Sequence, residues 1–296
     1  MFQVKVPAST ANLGCGFDSL GIGFQMYNTF TFRPHAGYKI GDSFAERHRN
    51  DRNMVLTSLK TALKKIGRTI EGVQIDIEEN IPISRGLGSS ATCIIAGVMA
   101  AYELCGMPVD IAQAFDICSG LEGHADNISA AMFGGLTISY HTKSGWQYLK
   151  QLPHEKYGFC VFVPNFRLST SKARKVLPPS LSYKDGIHNI ARAALMVSAL
   201  TQGKSDMIAD GADDRLHQPY RIPLIDEYKK IEQFAQKAGV HAVFISGAGP
   251  SIMGIADKTD MQRLLKDFQE AKRDFRHRWQ AIALDVDCEG ARLIKE

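Results

Sequence analysis

The chain has 296 residues, 45% of them hydrophobic and 22% charged, the balance of an ordinary globular protein rather than a disordered one. That length suits two modest domains or one large one. The net charge of +4 is mild. Its basic clusters, Arg47-His48-Arg49 and Lys272-Arg273 to Arg278, lie among acids, so they read as solvated faces and not as a nucleic-acid-binding stripe.

The opening "MFQVKVPAST" has no long apolar core, so no secretory leader is expected. Phe2 to Val6 reads as a strand. The stretch "PASTANLGCGFDSLG", residues 7 to 21, reads by itself as a loop, because Gly, Asn and Ser favour tight turns. A turn alone does not explain why Asn12 and Asp18 stand among Gly14, Gly16 and Gly21. Asn28 to Arg33 follows as a strand, Met54 to Ile66 as an amphipathic helix and Val73 to Glu78 as a strand.

Residues 79 to 106, "ENIPISRGLGSSATCIIAGVMAAYELCG", place a glycine-rich loop before an apolar, proline-free run from Ala91 to Leu104. That run reads as a buried helix. Ser89 and Ser90 then occupy its first turn, where free N–H groups and the positive dipole end favour an anion, usually phosphate. Spacing separates the candidate phosphate loops. A Walker loop fails, because Gly203-Lys204-Ser205 would need glycine where Ser198 stands. Gly86 to Ala91 fits the dinucleotide fingerprint G-x-G-x-x-[GA], but the next strand of a βαβ unit is missing. Instead Pro108 and another helical stretch, "VDIAQAFDICSGLEG", follow. The longer string Pro82-x-x-x-Gly86-Leu87-Gly88-Ser89-Ser90-Ala91 remains.

Strands are expected near Leu136 to Tyr140 and Gln147 to Leu149. The pattern resets around "QLPHEKYG", which predicts a domain boundary at about residue 155. Then come a buried strand, "FCVFVP", and helices at 184–202 and 223–238. The segment "HAVFISGAGPSIMGIAD" reads as a hairpin, with Ser246 to Ser251 as its turn. An amphipathic helix begins at Asp260, and a last strand lies near Ala281 to Asp285. This order predicts an α+β fold in two layers. The six cysteines form no C-x-x-C pair, and the nine histidines show no zinc spacing. Reduced thiols and the lack of a membrane-length apolar run predict a cytoplasmic protein.

Three strings in order resemble the motifs of the GHMP kinases: residues 7 to 21, Pro82 to Ala91, and Ser246-Gly247-Ala248-Gly249-Pro250-Ser251. The first is similar to the homoserine kinase form of its motif, P-x-S/T-x-A-N-L-G-x-G-F-D-x-x-G, rather than the galactokinase or mevalonate kinase form. The resemblance spans residues 7 to 251. It implies an N-terminal ribosomal protein S5 domain 2-like layer over residues 1–155, which binds nucleotide. It also implies a C-terminal ferredoxin-like α/β plait over 156–296.

The resemblance further implies ATP-dependent phosphorylation of L-homoserine to O-phospho-L-homoserine, with Mg²⁺. It assigns the nucleotide to Asn53 and to Pro82, Ile83, Ser84, Arg85, Gly86, Leu87, Gly88, Ser89, Ser90, Ala91 and Thr92. Gly247, Ala248 and Gly249 shape the site. Asn12, Asp18, His124, Asn127, Thr170, Arg174 and Arg221 face the substrate, with Asn12, Asn127 and Arg174 catalytic. Ser90 and Glu122 hold the metal, with Glu103 as the fallback for the carboxylate. A carboxylate substrate suits the guanidinium forks of Arg174 and Arg221, although a lone arginine is more often a surface ion pair. The chain lacks the lysine near the first motif and carries Asn127 where some relatives place an aspartate. No obligatory general base is therefore expected. A kinase for another small alcohol and a non-catalytic sensor on the same fold are the rival readings. No nucleic-acid or membrane partner is expected, and a homodimer is left open.

Overall fold

The structure is a computed structural model that describes residues 1–295. In chain order it runs β1 (Phe2–Ala11), β2 (Leu20–Arg33), β3 (Gly37–Ile40), α1 (Met54–Lys65), β4 (Gly72–Glu78), α2 (Ser89–Leu104), α3 (Ile111–Glu122), α4 (Asp126–Phe133), β5 (Leu136–Thr142) and β6 (Gly145–Gln151). It continues with β7 (Tyr157–Pro164), α5 (Thr170–Lys175), α6 (Tyr183–Gln202), α7 (Ile208–Ala212), α8 (Gln218–Arg221), α9 (Tyr228–Lys237), β8 (Ala242–Ile245), β9 (Ile252–Asp257), α10 (Met261–Ala271), β10 (Trp279–Leu284) and β11 (Arg292–Lys295).

Two sheets carry the molecule. A seven-stranded sheet follows β11-β1-β2-β4-β3, with β5 on β2 and β6 on β5. A four-stranded antiparallel sheet runs β10-β7-β9-β8. With α5 to α9 between its first two strands and α10 between its last two, it has the order of a ferredoxin-like plait. Three cores follow. One lies between the first sheet and α1 to α4, one is shared by both sheets, and one lies under α9 and α10. Strand β7 shows the period of two: Phe159, Val161 and Val163 enter the shared core, and Cys160 and Phe162 the outer one. Phe24 of β2 meets Phe159 across that shared core with ring centroids 5.3 Å apart.

The structure departs from the expected elements in several places; β2 begins at Leu20 rather than Asn28, and the helix expected at 223–238 spans only Tyr228–Lys237. Pro7 to Ala11 are strand rather than loop, because β1 keeps its pairing with β2 as far as Ala11↔Gly21, with a register shift at Pro7/Ala8. A bulge there tolerates the proline's missing N–H. The turn starts only at Asn12, where Asn12, Leu13 and Gly14 all have left-handed φ. The strand at Trp279–Leu284 is not the last, since β11 returns to pair with β1. Residues 292–295 therefore belong to the first sheet, although the sequence reading put them in the second half. At four residues with little alternation, this edge strand exists only through its pairing. Strand β3 is equally short and pairs in parallel with β4.

Helix α1 shows the local logic well. The Asn53 side chain caps it by accepting from the N–H of Val55 and Leu56. Val55, Leu56, Leu59, Ala62 and Leu63 form its buried face. It lies against α2 so closely that a Cβ on Gly97 would stand 2.4 Å from the Val55 carbonyl. Among the described residues all six cysteines are free, and no helix is long and apolar enough to cross a membrane.

Candidate active site

Three segments far apart in the chain are sewn together at the seam between the sheets. Ser246 Oγ donates to the Gly86 carbonyl at 2.6 Å and lies 2.8 Å from Thr10 Oγ1. Gly247 N–H donates to Ala11 O at 3.3 Å, and Asn12 Nδ2 donates to Gly247 O at 2.9 Å. Thus the end of β1, the loop before α2 and the loop between β8 and β9 share one hydrogen-bonded network. Beside it opens a cavity of about 400 Å³, lined from both halves of the chain.

The loop before α2 is oriented for an anion. Its carbonyls are all turned into protein: Ser84 O accepts from Leu168 N–H, Arg85 O from Ser251 N–H, Gly86 O from Ser246 Oγ and Leu87 O from Ser9 N–H. The amides from Gly86 to Ser90 find no acceptor among the described residues. Gly88 is the left-handed N-cap of α2, with φ of 71° and no side-chain cap. Successive free N–H groups at a helix start form an anion cradle. The glycines answer first to the chain itself. A Cβ on Gly86 would sit 2.1 Å from Ser246 O, and one on Gly88 2.1 Å from Ser9 Oγ.

Ile83 to Ser90 line the cavity, whereas Pro82, Ala91 and Thr92 do not. Thr92 is buried, donating to Ser89 O and accepting from Asn28 Nδ2, so it braces the loop from behind. Arg85 is spent on the carbonyls of Pro164 and Asn165, which ties the loop to the end of β7 rather than to a phosphate. Asn53 lines the cavity, but its amide is used at both ends: the oxygen caps α1, and Nδ2 donates to His48 O at 3.0 Å. It is a helix cap before it is a base reader. Besides Met54, which follows Asn53, the apolar part of the lining includes Phe44, Ala45, Ile77 and Cys93, which the sequence reading missed. They are scattered along the chain and form no motif.

At the first turn of α2, Ser90 Oγ donates to Glu122 Oε2 at 2.9 Å, so the last residue of α3 reaches the loop. The fallback carboxylate does not. Glu103 lies about 20 Å further along α2 by helical rise, and it pairs with Lys295 at 2.9 Å.

The other end of the cavity holds opposed charges. The Asn12 side chain accepts from Asp18 N–H at 3.0 Å and so shapes the turn that presents Asp18. Arg174 places Nη2 and Nη1 on the two Asp18 oxygens at 2.7 and 3.0 Å. Arg221 is only 2% exposed and has no carboxylate partner among the described residues. Its Nε donates to Ala173 O and its Nη1 to Gly247 O. Burial and the charge of Arg174 lower its pKa to about 10, which still leaves a cation at neutral pH. The surface-arginine reading therefore fails for Arg221. A buried guanidinium without a counter-charge is costly unless an anion completes it.

His124 and Asn127 are held by two neighbours, Ser9 of the first motif and Asp126. Ser9 Oγ donates to Asn127 Oδ1 at 2.9 Å. Asp126 Oδ1 accepts from Asn127 N–H and lies 2.7 Å from His124 Nδ1. Burial pulls the His124 pKa down, but Asp126, with Glu122 and Asp18 nearby, outweighs this and raises it. Thr170, at the start of α5, also lines the cavity, as do Ala248 and Gly249.

A sheet-to-sheet seam with an anion loop on one side and opposed charges on the other defines a small-molecule phosphotransferase of the GHMP kinase class. The family models agree: the "GHMP kinases N terminal domain" matches residues 53–135, and "GHMP kinases C terminal" matches 196–274. The homoserine kinase of Clostridium botulinum (strain Kyoto / Type A2) is 39% identical over 97% of this chain and 96% of its own length. That of Clostridium beijerinckii is 38% identical over 100% and 99%. The crystal structure of homoserine kinase from Cytophaga hutchinsonii superposes with a TM-score of 0.84 at 22% identity, covering 99% of this chain and 97% of that one. The chain belongs to the homoserine kinase family of the GHMP kinases.

Proposed function

We propose that this site transfers the γ-phosphoryl group of ATP to the hydroxyl of L-homoserine, giving O-phospho-L-homoserine on the way to threonine. The observation that carries the substrate assignment is a carboxylate and two guanidinium groups, Asp18, Arg174 and Arg221, at one end of one cavity. An α-amino acid offers an ammonium for the first and a carboxylate for the other two, and a neutral alcohol offers neither. The outward amides of Gly86 to Ser90 suit the phosphates, and the apolar lining that includes Phe44, Met54 and Ile77 suits the base.

Two oxygen donors, Ser90 Oγ and Glu122, stand together beside the phosphate cradle, a donor set that fits Mg²⁺. Bound there, the ion would neutralise phosphate charge. Asn12, His124 and Asn127 lie where they can orient the hydroxyl, with Thr170 at the rim. As the new O–P bond forms, the bond to the ADP oxygen breaks and the hydroxyl proton passes to solvent water. In a loose phosphoryl-transfer transition state the attacking oxygen gains little charge early, so positioning and charge neutralisation supply most of the acceleration. Asp126 then serves to orient His124 and Asn127. The same reading divides the chain near residue 155 into 1–155 and 156–296, amended by the return of β11.

The test is a phosphate-transfer assay with purified protein and ATP against homoserine, shikimate, mevalonate and two truncated analogues, 4-hydroxybutyrate and 3-aminopropanol. Homoserine is expected to lead by a wide margin in kcat/KM. Equal rates with either analogue would overturn the two-charge reading.

A further inference from the structure

We infer that His217 is a positioning residue that fixes the Asp18-bearing turn relative to Arg221, and so sets the spacing between the two charges that recognise the amino acid. This rests on the reading that Asp18 and Arg221 receive the substrate's ammonium and carboxylate.

His217 is completely buried. Its Nε2 lies 2.7 Å from the Gly14 carbonyl, which can only accept, so Nε2 carries the hydrogen. That leaves Nδ1 as a bare acceptor, and Arg221 Nη1 lies 3.3 Å from it. Each ring nitrogen therefore has a partner of the matching kind, and the tautomer is fixed from both sides. Burial and the adjacent Arg221 charge lower the His217 pKa, despite Asp214, which favours the neutral ring this arrangement needs.

The two partners are the two sides of the substrate pocket. Gly14 lies in the tight turn that Asn12 organises, where Gly16 N–H donates to Asn12 O and Asp18 N–H to Asn12 Oδ1. Phe17, from the same turn, stacks on the His217 ring with centroids 5.0 Å apart. The Arg221 guanidinium lies over the other partner of that stack, 5.1 Å from the Phe17 ring centre. The backbone of His217 is itself anchored. The buried Asp214 carboxylate accepts from the N–H groups of His217 and Gln218, and from Asn189 Nδ2. Asn189 Nδ2 also donates to Cys15 O in the turn. One imidazole thus joins the first motif to the arginine some two hundred residues later, without itself lining the cavity.

Replacing the ring by amides separates its two contacts. His217→Gln can keep a donor near Gly14 O and loses the acceptor for Arg221, and His217→Asn does the reverse. His217→Leu loses both. His217→Gln, which strips the acceptor from the Arg221 cation, is expected to raise the homoserine KM about tenfold or more, and His217→Asn, which loses a bond to a neutral carbonyl, by roughly two- to tenfold. The ATP KM and nucleotide titration should stay at wild-type values, and His217→Leu, where it folds, should exceed both. Wild-type homoserine KM in folded Asn and Gln variants would overturn the inference, and so would equal rises in both KM values. Arg221→Lys is the control for the underlying reading. An unchanged homoserine KM there would overturn the reading and the inference together. A raised KM there, with silent His217 variants, would overturn the inference alone.

Discussion

Arg174 grips Asp18 with both terminal nitrogens, at 2.7 and 3.0 Å, across the mouth of the substrate end. Both side chains are about one-third exposed, so the pair is an accessible one rather than a core bridge. On the proposed function, an amino acid arriving there would exchange one internal ion pair for two external ones, its ammonium on Asp18 and its carboxylate on the guanidinium. Arg221 needs no such exchange, since it stands buried without a carboxylate.

The two arginines should therefore differ in kind while agreeing in direction. Arg221→Ala and Arg174→Ala are each expected to raise the homoserine KM by about one to two decades, the equivalent of ~1.5–3 kcal/mol for a charge-assisted contact, with the ATP KM little changed. Arg174→Ala also frees Asp18, so its loss should be partly offset for an analogue without a carboxylate. Steady-state kinetics with each substrate varied checks this. Equal movement of both KM values would mean that neither arginine meets the amino acid.

Gly88 is constrained twice, by its left-handed φ and by Ser9 Oγ, which a Cβ would approach to 2.1 Å. Gly88→Ala should weaken nucleotide binding and also disturb Asn127, which Ser9 holds. The strain alone is of order 1–2 kcal/mol. Ser9→Ala in the same chain removes one of the two constraints and should recover part of the nucleotide affinity. A double-mutant cycle with no coupling between the two positions would refute this account of the loop.

Asp126 is buried and committed to Asn127 N–H and His124. If it only orients them, Asp126→Asn should keep turnover within about tenfold, whereas loss of a general base costs ~10²–10⁴. A thousandfold fall with homoserine and ATP bound normally would make Asp126 the proton acceptor.

A fourth expectation concerns stability away from the site. Glu227 has a left-handed φ of 66°, and its carboxylate accepts from the N–H groups of Arg276 and His277 and from Trp279 Nε1. Burial raises its pKa, but these donors, with Lys230, outweigh that and hold it at about 2. A depressed carboxylate contributes its full stability above the unfolded value of 4.5 and loses it as pH falls toward 2. Glu227→Gln should lower Tm at neutral pH by roughly 2–5 °C, from ~1.5–3 kcal/mol of charge-assisted bonding. That gap should narrow as melts are repeated from pH 5 down toward 2. A gap that stays constant over that range would show that the charge itself contributes nothing.

The two-layer α+β order, the helix after Gly88 and the three glycine-rich strings were legible in the sequence, because apolar periodicity and glycine placement are local properties. Ser90 could be picked out for the same reason, as a member of one such string, and Arg221 through the family resemblance. Their environments could not. That Glu122 rather than Glu103 meets Ser90 depends on how α3 packs back against α2. That Arg221 is buried while Arg174 is paired depends on which carbonyls and carboxylates the fold brings alongside. That Asn53 caps its own helix while lining the cavity is likewise visible only in the fold. Ser9 lies in the first motif, but its bond to Asn127, 118 positions away, is set by the fold, and so is the bond of His217 to Gly14, 203 positions away. Residue type and spacing determined which chemistry the chain could host. Only tertiary packing decided which side chains are left unsatisfied toward the cavity, because burial and hydrogen-bond competition are set by neighbours distant in sequence.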